Sequence, residues 1–406
     1  MTRFLHTADW QIGRQYGQFE QEDAAVLAEA RFDAVARIAA LAAQRKVDAV
    51  LVAGDVFDTQ AVSDRTIRRL FGALQAYTGP WVMIAGNHDA MLAESVWTRA
   101  RQLDCIPDYV HVAERCGVIE LPEAGIAVLA APLTQRHTYD DVTQPFDGID
   151  TAPGLLRVGL AHGSVEGHLP GDIDSTNPIA ADRAARARLD YLALGDWHGC
   201  LSIDPRTWYA GTPEQDRFRG NAPGYVLDVS IPGPGAQAEV RQEPIGRYHW
   251  SLWNERLALD TDAEALARRL DDVQSEAVLR LVIEGETTLS AWDALQSAID
   301  RAAARARALL CDSTGLSLEP QAADLAALQA GGYVADVAAQ LQAMQHDGPQ
   351  AGQDPGGIGA GPARTGQGAI GKDGQVQAGL TQAEIAREAL RQLLRLQRET
   401  GAAGAA

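Results

Sequence analysis

Six short apolar runs lie in the first 230 residues, and five of them end in polar residues able to hold a metal ion. That repetition constrains the fold more than any other property of the chain. The runs are Arg3–Ala8, Ala49–Ala53, Trp81–Ala85, Ile126–Ala130, Leu155–Ala161 and Tyr191–Leu194. Their length and apolar character predict buried strands. Between the first two, Leu27, Val35, Ile38 and Leu41 share one helical face; between the next two, Ser63 is a helix N-cap ahead of Ile67, Leu70, Phe71 and Leu74. Alternation of strand and helix predicts an α/β layer structure. The strands lead into Asp9, Gly54-Asp55, Gly86-Asn87-His88-Asp89, His162-Gly163 and Gly195-Asp196-Trp197-His198. In open α/β sheets the carboxyl edge is where ligands bind.

Two hard divalent cations about 3.5–4 Å apart need a bridging carboxylate with oxygen and imidazole ligands on both sides. The five loops supply that mixture. Asp55 suits the bridge, since the glycine before it permits a tight turn. Asn87 offers an amide oxygen, and the adjacent side chains of His88 and Asp89 point in different directions. Each piece alone is an ordinary turn; their joint occurrence, in order and each time after a strand, is what points to a metal centre.

The ordered set Thr7–Gln11 (T-A-D-W-Q), Gly54–Asp58 (G-D-V-F-D), Gly86–Asp89 (G-N-H-D), Ala161–Gly163 (A-H-G) and Gly195–His198 (G-D-W-H) resembles the five motifs of the calcineurin-like phosphoesterase superfamily. Within it, the opening F-L-H-T-A-D-W and the stretch Trp208–Glu214 (W-Y-A-G-T-P-E) resemble bacterial SbcD-type DNA repair exonucleases. The resemblance implies a four-layer α/β sandwich over residues 1–235, followed by a small α/β capping domain over 245–315. It implies two divalent metal ions, manganese first and magnesium second. Asp9, Asp55 and His198 would bind one; Asp55, Asn87 and His162 would bind the other. His88 would face the phosphate as the catalytic acid or orienting group, and Asp58 would orient His88.

Two positions depart from the family pattern. Gln11 and Asp196 stand where the family usually has histidine. Strand periodicity keeps Gln11 on the side of Asp9, so its amide oxygen is an expected, weaker ligand, and Asp196 is expected to bind metal. Both changes make the site richer in oxygen, which favours manganese or magnesium over zinc. His6 is expected to be structural. Trp197 is the leading candidate to stack a base, with packing of its loop as the other reading; Trp10, Trp97 and Phe218 are weaker ones. Three arginine groups (Arg65, Arg68 and Arg69; Arg183, Arg186 and Arg188; Arg217 and Arg219) are either phosphate contacts or locally paired surface charges.

The remainder of the chain carries little chemistry. The capping unit is expected as strand Tyr248–Leu257, helix Ala263–Val273, strand Val278–Ile283 and helix Ser290–Leu310. Beyond it are expected a helical segment over 316–346, a flexible Gly/Gln/Pro-rich linker over 347–380 and an amphipathic helix over 381–400, the last opened by Thr381 and Glu384 as a capping box. That helix, apolar along Ile385, Ala389, Leu393 and Leu396, is expected to dock on its own body or on a partner.

A net charge of −19 excludes general stickiness to nucleic acid but not a local groove. Four scattered cysteines (Cys105, Cys116, Cys200 and Cys311) fit a reduced, cytoplasmic protein, and no apolar run is long enough to span a membrane. The resemblance adds DNA as substrate, a coiled-coil SbcC-type ATPase as partner and a homodimer. The function expected is metal-dependent phosphodiester hydrolysis of DNA. The alternatives are a phosphatase or phosphodiesterase acting on another phosphoester, and a catalytically weak scaffold that helps hold DNA ends.

Overall fold

The computed structural model describes residues 1–168, 177–319 and 333–346, and positions 385, 386, 389, 392 and 393. The expected linker over 347–380 and the capping box at Thr381 and Glu384 lie outside the described residues. The chain divides into two compact units: Met1–Trp253 with Val273–Leu281 and Ala303–Leu310, and Asn254–Asp272 with Val282–Ala302 and Cys311–Ala406.

In chain order the first unit begins with β1 (Thr2–Thr7), α1 (Gln21–Arg45), β2 (Ala49–Ala53), α2 (Asp64–Ala73), β3 (Trp81–Ile84), α3 (Val96–Gln102) and β4 (Val110–Val112). Next come β5 (Gly117–Leu121), β6 (Ile126–Ala131), β7 (Leu156–His162), β8 (Ser164–Val165), β9 (Pro178–Ile179), α4 (Arg183–Arg186) and β10 (Tyr191–Gly195). It continues through β11 (Leu201–Asp204), β12 (Thr207–Tyr209), β13 (Tyr225–Ile231) and β14 (Glu239–Pro244). One six-stranded mixed sheet has the order β14-β13-β1-β2-β3-β4, and a second the order β11-β12-β10-β7-β6-β5. The four strands β1 to β4 run parallel, as do β6, β7, β10 and β12, so the carboxyl ends of the motif-bearing strands gather at common sheet edges.

Three apolar clusters order the layers. Val35, Ile38, Ile67, Leu70 and Phe71 of α1 and α2 pack on Leu5, Val50, Val52 and Met83, one face of the first sheet. Its other face (Phe4, Leu51, Val82 and Ile84) meets Ile126, Val128, Val158, Leu160 and Tyr191 of the second sheet. Leu129, Ala161, Leu192 and Leu194 on the outer face of that sheet are covered by Phe146, Ala184, Ala187 and Leu189. Both faces of β2, β3, β6 and β10 are therefore buried, which is why these strands read as continuous apolar runs. Ser63 caps α2 as expected, its hydroxyl accepting the Thr66 amide at 3.1 Å.

The strands β15 (His249–Leu257), β16 (Ala277–Thr288) and β17 (Ala308–Glu319) form a third sheet in that order, with α5 (Asp260–Asp271) and α6 (Leu289–Arg305) in the connections. The last expected helix stops at Arg305, because residues from Ala308 pair as a strand. In the second unit Thr288 donates its hydroxyl proton to Asp260 at 2.9 Å and Arg301 pairs with Asp271 at 3.0 Å. A helix covers Tyr333–His346, and Leu393 packs against Leu289 and Ala338 together with Leu318 and Leu341. The tail thus touches its own unit at Leu393, while Ile385 is 55% exposed. Among the described residues no helix is long and apolar enough to cross a membrane, and the four cysteines are free.

The two sheets approach closely at their carboxyl edges. A Cβ added to Gly195 at the end of β10 would overlap the Ala53 carbonyl oxygen of β2, a backbone atom fixed by its own sheet. One added to Gly159 in β7 would meet first the flexible ends of Leu189 and Leu192, at 2.6 and 2.7 Å. Gly195→Ala is expected to destabilise the protein by about 3 kcal/mol and Gly159→Ala by about 1 kcal/mol or less. Equal shifts in their urea unfolding midpoints would contradict this picture of the sheet edge.

Candidate metal centre

Four of the expected oxygen ligands sit on backbone that L-residues seldom adopt. Asp9, Gln11, Asp55 and Asp196 have φ of 53°, 49°, 51° and 101°. Such left-handed residues mark sharp turns held in place by their surroundings, and they cluster at functional sites. Here the Asp9 amide donates to the Gly54 carbonyl at 3.1 Å and the Gln11 amide to the Asp55 carbonyl at 2.9 Å, so the first two loops zip together beyond their strands.

His162, fully buried at the end of β7, reaches across to the first sheet. Its Nδ1 lies 2.8 Å from the Ala53 carbonyl, which can only accept, so Nδ1 carries the proton. Nε2 is then turned toward three oxygens: Asn87 Oδ1 at 2.9 Å, Asp55 Oδ1 at 3.6 Å and Asp196 Oδ1 at 3.7 Å. Asp9, Asp55 and His162 each bring one ligand atom within 4.8 Å of the others. The second carboxylate oxygen of Asp196 is buried without a hydrogen-bond partner. Oxygens gathered around one imidazole nitrogen, beside a carboxylate whose other oxygen is unsatisfied, are the donor set of a cation. The residues present therefore fit a divalent ion held by Asp55, Asn87, His162 and Asp196, with Asp9 beside them.

The electrostatics agree. Burial, reinforced by the Asp55 and Asp196 charges, pushes the Asp9 carboxyl up to about 6 against the pull of His198 and His162. Burial works against a charged His162 ring, but Asp55, Asp9 and Asp196 outweigh it and push the group up to about 9.

His88, at the rim, has a ring 35% exposed. Its amide donates to Asp55 Oδ1 at 2.9 Å, and Nε2 stands 4.0 Å from Asp55 Oδ2. Its Nδ1 lies 2.7 Å from the backbone carbonyl of Asp58, not from the carboxylate. The Asp58 carboxylate, expected to orient His88, lies 3.3 Å from Arg14. Asp89 is a loop staple. Its two oxygens accept the Gly86 and Phe57 amides at 2.7 and 3.1 Å, and burial pushes its carboxyl up to about 7.

Gln11 and His198 are placed differently from expectation. Gln11 turns its amide nitrogen to Asp55 Oδ2 at 2.9 Å, and its oxygen accepts from Arg14 at 3.1 Å, so that oxygen faces a guanidinium. The His198 ring lies 3.1 Å from Asp216 Oδ2, with Arg217 Nη2 at 2.8 Å from Nδ1 and 3.2 Å from Nε2. Sequence reasoning missed Arg14 and Asp216, and reached Arg217 only as one of several arginines with a choice of roles. A strand-end pattern could not find them, since they sit in loops whose only signal is charge.

Trp197 packs partly buried against the outer cluster of the second sheet. Trp10 and Trp97 are buried in the core and cannot stack on a base. Phe218 packs on Trp250, with ring centres 4.9 Å apart. His6 is structural, between the Tyr191 hydroxyl and the Leu194 carbonyl, both at 3.1 Å. Arg183 and Arg186 are consumed by Asp141 and Asp147.

Residues 2–182 match the sequence profile of the family described as calcineurin-like phosphoesterase. Over that stretch, a little under half of the chain, the protein is similar to the calcineurin-like metallophosphoesterases, a family that binds divalent metals. Among curated relatives, it is 25% identical over 303 residues to the DNA double-strand break repair protein Mre11 of Haloferax volcanii, covering 72% of this chain and 64% of that one. It is 27% identical over 281 residues to a subunit of the nuclease SbcCD of Bacillus subtilis, covering 58% and 68%. An uncharacterized metallophosphoesterase of the same bacterium, YhaO, is 25% identical over 312 residues, covering 70% and 71%. The chain thus spans less than two thirds of the Haloferax relative's length.

The raised His162 sets a pH dependence for the metal-free chain. Unfolded, the ring loses its proton near 6.5; folded, it keeps it to about 9. The stability this contributes is complete below 6.5 and is lost as pH rises through about 9. His6, which burial depresses to about 3, is neutral in the folded state over that range, and Asp89, raised to about 7, adds a smaller fall confined to the lower end of it. After chelation of metal, the thermal midpoint is expected to fall steadily from pH 6.5 to pH 9, and His162→Gln to remove most of the fall. An unchanged slope in the variant would place its origin elsewhere.

Proposed function

We propose that this chain hydrolyses phosphodiester bonds of DNA with the help of a divalent cation, manganese before magnesium, as an exonuclease subunit in DNA repair. The clustering of Asp9, Asp55 and His162, with Asn87 Oδ1 and Asp196 Oδ1 facing the same His162 nitrogen and the accessible His88 ring 4.0 Å from Asp55, carries this reading. The names of the two nuclease and repair relatives supply the choice of DNA.

A cation held there supplies Lewis acidity toward phosphoryl oxygens and acidifies water. The ligand set is mostly oxygen, which suits manganese and magnesium better than zinc. His88 binds at the other side of the phosphate. With its Nδ1 proton committed to the Asp58 carbonyl, Nε2 is the atom that faces substrate and can hold or release a proton at the leaving oxygen. The Arg217 side chain, 43% exposed, offers a guanidinium to a phosphate oxygen beside His198. Trp197 is a proposed contact for a base at the rim. A coiled-coil ATPase of the SbcC type is the proposed partner and a homodimer the proposed assembly, both from the family resemblance, the first in keeping with the name of the Bacillus SbcCD subunit.

A second reading has its own support. Arg14 and Arg217 occupy the neighbourhood of Gln11 and His198, and an uncharacterized metallophosphoesterase is as similar to this chain as the nucleases are. A phosphoesterase acting on a smaller substrate would use the same centre.

Purified chain with manganese is expected to degrade labelled linear DNA and to stop when metal is chelated. His88→Ala should lower the rate by roughly 10²–10⁴-fold, the range for loss of a general acid, and Asp55→Ala should abolish it. Hydrolysis of a phosphomonoester or small diester, with DNA left intact under the same conditions, would move the assignment to the second reading.

A further inference from the structure

The sequence resemblance implies one metal between Asp55, Asn87 and His162 and another between Asp9, Gln11, Asp55 and His198. The structure treats these two halves unequally. On the His162 side, Asn87 Oδ1, Asp55 Oδ1 and Asp196 Oδ1 lie 2.9, 3.6 and 3.7 Å from Nε2, and the other Asp196 oxygen has no partner. On the Gln11 side the ligand atoms of Gln11 and His198 are already engaged. Gln11 Nε2 donates to Asp55 Oδ2 at 2.9 Å. Gln11 Oε1 accepts from Arg14 at 3.1 Å. The His198 Nδ1 lies 3.1 Å from Asp216 Oδ2, and Nε2, the nitrogen left to accept, lies 3.2 Å from Arg217 Nη2.

The two guanidinium groups are built in. Arg14 Nη1 also lies 3.3 Å from Asp58 and 3.4 Å from Asp216. Arg217 Nε pairs with Asp216 at 3.1 Å. Asp216 is 2% exposed, and Arg31, itself 2% exposed, approaches it at 3.9 Å. Asp216 is thus the anchor that fixes both arginines against the Gln11–His198 half. A guanidinium keeps its charge at any working pH and matches phosphate oxygens with a planar fork. A divalent ion on that half would meet two fixed positive charges and an amide nitrogen where it needs lone pairs.

We propose that the centre takes one divalent cation per chain, on the Asp55–Asn87–His162–Asp196 side, and that Arg14 and Arg217 stand on the Gln11–His198 side in place of a second. The phosphoester would meet a cation on one flank and guanidinium groups on the other. The substitutions at positions 11 and 196 then belong together: Asp196 adds an anionic ligand where the cation sits, and Gln11 removes an imidazole where none is needed. This rests on the metallophosphoesterase reading, and the test separates the two.

The full-length chain is stripped with chelator and titrated with manganese. Bound metal is counted by elemental analysis after equilibrium dialysis, and its spin state read by electron paramagnetic resonance. The wild type is expected to hold about one manganese per chain with an uncoupled six-line signal, since only ions about 3.5–4 Å apart couple. Gln11→His combined with Arg217→Ala is expected to raise the count to about two and to introduce exchange coupling. Arg217→Ala alone, a truncation at a partly exposed side chain, should raise occupancy of the second position measurably. Two coupled ions in the wild type would overturn the inference and leave the phosphoesterase reading standing. No bound manganese at millimolar concentration would overturn both. A single ion in the wild type that stays single in both variants would show that the arginines do not exclude the second, and would overturn their assigned role.

Discussion

The hydrogen bond from His162 Nδ1 to the Ala53 carbonyl joins the two sheets at the point where the chemistry sits. One ring spans from the end of β7 to the end of β2, and its second nitrogen is thereby aimed at Asn87, Asp55 and Asp196. Its geometry requires the sheet edges to lie close. Three motif glycines permit it: Cβ atoms on Gly54, Gly86 or Gly195 would strike the His162 ring, the Asp55 carboxylate or the Ala53 carbonyl. The glycines preceding the ligands are thus there for space as much as for turning. In this they differ from turn glycines such as Gly154 and Gly167, around which nothing stands within 4 Å.

Around the metal-ready pocket lies a second ring of charge that holds it in shape. Arg31 projects from α1 into the interior and donates to the Trp10 and Glu214 carbonyls at 2.8 and 2.9 Å. Glu214 in turn accepts the Arg247 and Tyr248 amides, both at 2.9 Å, and pairs with Arg37. The first loop and the 212–216 segment are fixed to each other by these contacts. A buried arginine bonded to carbonyls orders backbone while remaining satisfied. Deep in the same network, Asp216 has burial working against its charge. His198, Arg31 and Arg217 more than offset that and hold its carboxyl well below the ordinary range.

The parts of the fold that were legible in the sequence are those whose burial leaves an unbroken apolar run. The six central strands are of this kind, and their positions agree with the structure to within a residue or two. The edge strands β5, β11 and β14 alternate or carry charge, as in Glu239–Pro244, and leave no such signal. At the site, side chains that come directly after a strand were legible. Contacts made through main chain were not: the group that orients His88 is a carbonyl, and any residue at position 58 would present one. Long-range pairing was equally hidden, because Arg14 and Asp216 are about 200 residues apart and meet only once the chain between them has folded. The arginine cluster at 183–186 was ambiguous for the same reason, and resolves into ion pairs with Asp141 and Asp147.

Charge explains why the two departures from the family pattern sit where they do. Asp9, Asp55 and Asp196 bring three carboxylates into a confined space that the His162 ring faces. Such a group is stable only with compensating positive charge, from a protonated ring, a cation or arginine. On one side the compensation fits a cation, because Oδ1 of Asn87, Asp55 and Asp196 all face Nε2 and the other Asp196 oxygen has no donor. On the other it is part of the chain itself: Arg14 and Arg217 bring permanent charge, and Gln11 supplies an N–H to Asp55 Oδ2. A histidine at position 11 could donate one proton to Asp55 or offer one lone pair to a metal. The amide presents its donor and its acceptor from one terminal group, and here it gives a proton to Asp55 and accepts one from Arg14. That pairing ties the first loop to the arginine layer, and it makes the oxygen-rich composition of the site a consequence of charge balance as well as of metal preference.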